Sequence, residues 1–466
     1  MSTDADASKP GPPRPLTREL ATFAVGVQLA SLPEEFLDRM RTDALDAVGV
    51  GVFGHTRPWV SLPTELWELQ GGAPEATLWG RGSRLPVPRA VMANSNAVNA
   101  FEFDDTYVWG GYGTHQGNNV VPAAIAVAES LGGVSGRDLL RALAVGHEIG
   151  IRVARGILKK KPGWNGTALV STFGAAAAAG TLLGLNEEQM TWALGTAGSY
   201  VGGVLTMPPH SMAKRLVNGR AAEGGTIGAL LAKRGFTGIE NVLEARQGGF
   251  YQTHAEEYSL DRVVEGLGSD YLSRHVHTKR FPMVTSAHAA IEATMHLVHD
   301  HNVRSTDVRE IVVRTTSGAQ QNMVGFVPET ISSAQLSLAF GIAMAVKTGD
   351  VRADAITEEA LADPEVRRLV GIVNPVKDPE LDAMWKGRSQ SGGPARVELV
   401  LAGGARLKSD LVPEASRMTN AEIEGKARSL MAPVVGDRNA EGVIDFFRRL
   451  EEQPSTERLV EYLRKG

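Results

Sequence analysis

Cysteine is absent from this 466-residue chain. That excludes disulfides, thiolate metal sites and a cysteine nucleophile, and leaves a cytoplasmic location as the expectation. No apolar run reaches the roughly 18 to 20 residues that a membrane span needs. The nearest approach, residues 173–185, is alanine-rich and reads as a buried helix. A basic excess is also missing: the net charge is −5, against the footprint expected of a nucleic-acid binder. There is no G-x-S-x-G, no H-E-x-x-H, no Walker loop and no strand-linked G-x-G-x-x-G. Serine hydrolase, zinc protease, nucleotide hydrolase and Rossmann dehydrogenase are therefore poor readings. Residues 1–15 carry prolines but no apolar stretch, so they read as a disordered tail and not as a signal peptide.

What is present is an ordinary globular composition, 43% apolar and 22% charged, at a length that suggests two domains. From residue 16 to about 235 apolar residues recur three or four apart, as in 36–53, 136–158 and 187–200, and predict helices. The run Gly174-Ala175-Ala176-Ala177-Ala178-Ala179-Gly180 lets neighbouring backbones come close, which predicts a central packed helix. Asn186 before Glu187-Glu188 has the form of a helix start. Beyond 266 the pattern changes. Residues 308–314 and 396–401 alternate and predict strands, with helical patterns at 286–299 and 334–347. Helical patterning returns at 420–431 and 440–450. The expected fold is mainly α with α+β: a large all-helical domain (16–266 plus 411–466) and a smaller α+β domain (267–410).

Four clusters could carry chemistry. The first is Phe101-Glu102-Phe103-Asp104-Asp105-Thr106, followed by the glycine- and aromatic-rich stretch 107–113 and His115. Some of its carboxylates should be partly buried, where their pKa values shift toward acid–base use. The stretch with Tyr107, Trp109 and Tyr112 suits an active-site wall. On the residues alone, a helix end with solvated acids and a loose loop is the commoner arrangement. The second and third are the basic pairs Lys214-Arg215 and Lys279-Arg280, the latter before Pro282. Taken singly, such pairs are usually surface features. The fourth is His288, Glu292, His296 and His299 on one helix face. It could suggest a metal, but the favoured reading is none, because no compact ligand set completes it.

Read together, these segments resemble the MmgE/PrpD family over residues 16–449. The matching pieces include Asn99 to Thr106, Thr172-Phe173-Gly174-Ala175, Lys214-Arg215-Leu216 with Asn218-Gly219-Arg220, and Lys279-Arg280-Phe281-Pro282 with His288. The family contains 2-methylcitrate dehydratase and cis-aconitate decarboxylase. The resemblance implies a homodimer with a helical body, an α+β lid and an active site in the cleft between them. It implies a lyase without metal or organic cofactor, acting on a small molecule by removing a proton or carboxyl group next to a carbonyl. Carried over by position, His115, Lys214, Lys279, Asp105 and Thr106 are the implied catalytic set. Glu102, Asp104, Tyr107, Trp109, Tyr112, Asn165, Arg280, His288 and Asn322 are candidate substrate contacts.

Departures from the family pattern point away from its tricarboxylate substrates. Glu102 replaces an aspartate, Asn165 and Val217 stand at histidine positions, Asn322 at a tyrosine and Gly325 at an arginine. The expected reaction is dehydration of a substrate other than 2-methylcitrate. Decarboxylation, epimerisation, dehydration with ring closure, and an inactive binding protein are the alternatives.

Overall fold

The computed structural model describes residues 14–109, 112–204, 211–321, 327–385 and 393–464. Its larger body is built from helices, among them Glu34–Gly54, Val87–Val98, Gly117–Ser130, Gly136–Gly156, Gly166–Leu182 and Leu216–Lys233. The alanine-rich Gly166–Leu182 lies at the centre and packs against Gly136–Gly156 and Leu216–Lys233. The small residues are what permit this. A Cβ on Gly174 would stand 2.7 Å from the carbonyl oxygen of Gly146, and one on Gly225 would stand 2.2 Å from that of Thr172. Asn186 caps the next helix, Glu187–Ala197, in a reciprocal pair with Gln189.

The body is less purely helical than its periodicity suggests. Three short antiparallel pairs interrupt it: Ala76–Thr77 with Arg84–Leu85, Tyr107–Trp109 with Tyr112–Thr114, and Ile157–Lys160 with Ala255–Tyr258. Strands this short fall below the window over which period two can be told from period 3.6. The helix predicted to reach 158 accordingly stops at Gly156.

The C-terminal helices Asn420–Val435 and Asp437–Arg448 pack back onto Glu34–Gly54. Ala427, Met431, Val443 and Phe447 share one apolar core with Leu45 and Val48. A Cβ on Gly49 would meet Ala427 Cα at 3.0 Å, so two backbones nearly touch there.

A second core surrounds a four-stranded sheet in the order Arg406–Lys408, Ala395–Leu401, Val308–Thr315, Val373–Lys377. The pairing of Val308–Thr315 with Val373–Lys377 is parallel; the other pairs are antiparallel. Ile311, Val313 and Thr315 alternate inward as predicted, and Val308 is buried beyond a register shift that separates it from Glu310. Val373–Lys377 was not predicted, because Asn374 and Pro375 mask it. As an edge strand it tolerates the missing N–H of proline. The helices His288–His301 and Leu338–Thr348 pack on each other beside this sheet. The second begins later than predicted, where the Ser337 side chain accepts from Phe340 N–H. No helix among the described residues is long and apolar enough to cross a membrane.

Candidate active site

The acidic motif follows the end of Val87–Val98. Residues Asn99–Phe101 form one tight turn, and Glu102 takes a left-handed φ of +52°, rare for a residue with a side chain. The Glu102 carboxylate meets three cations. Oε1 bonds Lys214 Nζ and accepts from Arg215 Nη1 at 2.9 Å, while Oε2 stands 3.4 Å from Lys279 Nζ. Burial alone would raise the Glu102 pKa, but Lys214, Lys279 and Arg215 together hold it well below its ordinary value. Desolvation lowers the pKa of the partly buried Lys214. Arg215 also donates to Asn99 O at 2.7 Å and to Gln335 Oε1 at 2.8 Å, and Gln335 donates to Phe101 O. The second core is thereby tied to the motif.

Asp104 and Asp105 face elsewhere. Asp104 Oδ2 accepts from the amides of Asn99 and Asn118 at 3.0 and 2.9 Å and lies 3.7 Å from His115 Nδ1. Both Asp105 oxygens accept backbone N–H groups, of Gln116 and Gly117, at 3.0 Å, so this carboxylate caps Gly117–Ser130. Burial, with Asp43 and Asp104 nearby, still raises its pKa well above the ordinary value. The Asp105 carbonyl lies 2.5 Å from His115 Nδ1. A carbonyl can only accept, so Nδ1 carries the proton and the neutral ring presents a lone pair at Nε2. Burial lowers the His115 pKa, against an opposing pull from Asp104.

The stretch after Asp105 is a hairpin and not a loop. Tyr107 pairs with Thr114, Val108 with Gly113 and Trp109 with Tyr112. Alternation sends Thr106, Val108, Gly113 and His115 to one face, where they line a cavity of about 650 Å³ between the two cores. Lys279 stands at the seam, and the far wall carries Thr285, Ser286, Thr316, Asp382 and Trp385. Thr106 and His277 exchange two main-chain hydrogen bonds at 2.8 Å, joining the motif to the segment entering the second core. A Cβ on Gly113 would lie 3.5 Å from Thr106 Oγ1 and 4.0 Å from His115 Nε2, so the missing side chain leaves the space beside both open.

The other hairpin face corrects the expected aromatic wall. Tyr107 is buried with Ile151, Leu272 and Val276, and burial raises its pKa to about 12. Trp109 lies under the guanidinium groups of Arg155 and Arg262, and Tyr112 donates to Ala154 O at 2.9 Å. None of the three lines the cavity; Trp385 supplies the aromatic surface instead. Asn165 is spent capping Gly166–Leu182 through Ala168 N–H. Arg280 is turned away to pair with Glu422. His288 is buried behind Lys279 with Nε2 3.2 Å from Met283 O, and burial lowers its pKa to about 3. Lys214 and Asp105 stand behind the wall and act on it through Glu102 and His115. Asn322 and Gly325 lie outside the described residues.

Thus Glu102, Thr106, His115 and Lys279 converge on one cavity, with Asp104 and Lys214 one contact away. Thr316, Asp382 and Trp385 were not foreseen: Thr316 follows the strand Val308–Thr315, and Asp382 and Trp385 lie in the seven-residue helix Pro379–Trp385, with no pattern to mark them. In the histidine helix, His296 and His299 are exposed and Glu292 is taken by Ser416 N–H at 2.8 Å. No group of three or more metal-ligating side chains converges among the described residues.

Two apolar cores thus meet at one cleft lined by the titratable side chains Glu102, His115, Lys279 and Asp382. The chain belongs to the MmgE/PrpD family: the family's N-terminal domain matches residues 18–262 and its C-terminal domain residues 281–452. The chain is 27% identical to cis-aconitate decarboxylase of Aspergillus terreus, over 96% of both chains. It is 29% identical to the human cis-aconitate decarboxylase over 77% of this chain and 76% of the relative. A mitochondrial 2-methylcitrate dehydratase of Yarrowia lipolytica is 24% identical over 80% of this chain and 74% of its own length. These relatives are enzymes of the lyase type.

Proposed function

We propose that this protein is a lyase that removes a proton from carbon next to a carboxylate or carbonyl and expels water from the adjacent carbon. The observation that carries this is His115: its Nδ1–H is fixed on the Asp105 carbonyl at 2.5 Å, which leaves Nε2 as a neutral base beside the cavity and Lys279. In the proposed step Nε2 takes the proton, the C–H electron pair forms the double bond, and the C–O bond breaks. The departing hydroxyl leaves as water with the proton returned from the imidazolium, directly or relayed through the Thr106 hydroxyl, which regains its own proton from His115. Lys279, in the wall of the same cavity, stabilises the charge that develops on the carbonyl oxygen. The reaction needs no metal or organic cofactor, since acid, base and cation are all side chains.

Decarboxylation is the second reading, supported by the decarboxylase that matches 96% of the chain. There the bond to a carboxylate breaks, carbon dioxide leaves, and His115 in its protonated form delivers a proton to carbon.

The substrate proposed is a small molecule other than 2-methylcitrate or cis-aconitate. A tricarboxylate wants several charge-assisted partners, each contributing roughly 1.5 to 3 kcal/mol. Asn165 is committed to a helix cap, and Val217 packs toward Gly203. Among the described residues the cavity wall carries one lysine and one histidine against Glu102 and Asp382. We read the protein as a cytoplasmic homodimer. Hydroxy acids with one, two and three carboxylates should be incubated with the protein in D₂O and followed by proton NMR. Alkene formation or deuterium uptake on a mono- or dicarboxylate, lost in His115→Ala, is the expected result. No reaction with any of them sinks the lyase reading. Turnover of 2-methylcitrate with kcat/KM above about 10⁴ M⁻¹s⁻¹ sinks the substrate reading alone.

A further inference from the structure

The helix Asn420–Val435 contributes nothing to the cavity wall, yet one of its side chains reaches both halves of the site. Lys426 is buried, and its ammonium has three N–H donors with three acceptors. It donates to the carbonyl of Phe103 at 2.8 Å and to the carbonyl of Lys279 at 2.9 Å, and it pairs with Asp46 Oδ1 at 2.8 Å. It also stands 3.7 Å from the centre of the Phe103 ring. Phe103 lies between Glu102 and Asp104, and Lys279 is the cation placed against both, at 3.4 and 3.8 Å.

The residues around Lys279 are held from the same side. His277 pairs with Thr106 through the main chain, and Thr278 Oγ1 receives Arg39 Nη2 at 2.8 Å. Arg280 pairs at 2.9 Å with Glu422, one turn before Lys426 on the same helix. All four residues of 277–280 are therefore tied to the helical body or the acidic motif. A buried ammonium is costly unless every donor is used, and an apolar residue would pack this helix at less expense. What the ammonium does, and a methyl group does not, is hold two carbonyls of different segments at one point.

We propose that Lys426 is a positioning residue of the active site, fixing the Lys279 backbone against the Glu102–Asp104 turn through the Phe103 and Lys279 carbonyls. The C-terminal helix is then part of the reaction geometry and not only of the fold. The inference deepens the reading of Lys279 as the cation at the developing oxyanion, and it rests on that reading for its effect on turnover.

The test uses the full chain. Lys426→Met with Asp46→Asn removes both charges together, so no carboxylate is stranded, and Lys426→Gln is the milder second variant. The first readout needs no substrate: acetic anhydride labelling, with Lys279 compared by peptide mass spectrometry against the exposed Lys159. Lys279 acetylation should rise about ten-fold or more as the amine becomes accessible, with Lys159 unchanged. On whichever hydroxy acid passes the NMR screen, kcat should fall about 100-fold, the scale of a 1 Å misplacement, with KM nearly constant. Folded variants that match the wild type in Lys279 labelling and in kcat overturn the proposal. Failure of both variants to fold also overturns it, because Lys426 would then be a purely structural residue. Raised labelling combined with full activity in Lys279→Ala leaves the positioning intact and removes the oxyanion role instead.

Discussion

The two faces of the 107–114 hairpin divide the work of this protein between them. One face presents Thr106, Val108, Gly113 and His115 to the cavity. The other buries Tyr107, stacks Trp109 against two arginines and ties Tyr112 to Ala154. The residues expected to form a binding wall hold the hairpin down, and Val108 and Gly113, for which nothing was expected, face the cavity beside Thr106 and His115. Composition carries no information about this division; strand alternation does. A single register shift would exchange the two sets.

The comparison can be broken from either face. The largest effect is expected from the core face: Tyr107→Ala should cost about 3 to 5 kcal/mol of stability, as for other large buried rings. Urea unfolding measures it, and turnover per folded molecule should change little. His115→Ala should do the reverse, lowering kcat about 100-fold, or about 2.7 kcal/mol, with the melting temperature nearly unchanged. Because burial lowers the His115 pKa, wild-type kcat/KM should stay level at neutral pH and fall only on acidification below about 6.5. An acid limb centred above that value would mean another base. Gly113→Ala, which places a methyl beside Thr106 and His115, should lower turnover about ten-fold with little loss of stability. Asn165→Ala should cost about 1 kcal/mol through its lost cap and leave turnover alone. A large loss of activity there would restore Asn165 to the substrate.

The smallest effect at neutral pH belongs to His288. Its folded pKa is lowered to about 3, so the unfolded chain takes up a proton below about 6.5 while the native protein does not. Its contribution is fully present above that pH and is lost as pH falls toward 3. His288→Asn should flatten the stability–pH curve over this window by at most about 1.4 kcal/mol per pH unit. An unchanged slope in urea titrations between pH 7 and 4 would place the responsible group elsewhere.

By itself the sequence determined the helix periodicity, the alanine–glycine packing of Gly166–Leu182 and the alternation from Ile311 to Thr315, because each is a local pattern repeated over several turns or residues. Ordered motifs likewise put His115, Lys214, Lys279, Asp105 and Thr106 forward as one set through the family resemblance, with Glu102 as a substrate contact and without any distance between them. Tertiary structure decided the rest. Which side of the hairpin meets the cavity depends on pairing of Tyr107–Trp109 with Tyr112–Thr114, too short to register as period two. Asp105, Asn165 and Arg280 carry the right functional groups, but helix ends and Glu422 claim them first. Trp385 and Lys426 reach the site from 106 and 147 positions beyond Lys279, and only the folding of the second core and the return of the C-terminal helix bring them there. Burial sets charge states in the same way: the Glu102 carboxylate is governed by cations 112 to 177 positions away, and His115 by a carbonyl 10 positions back that only the hairpin brings into contact.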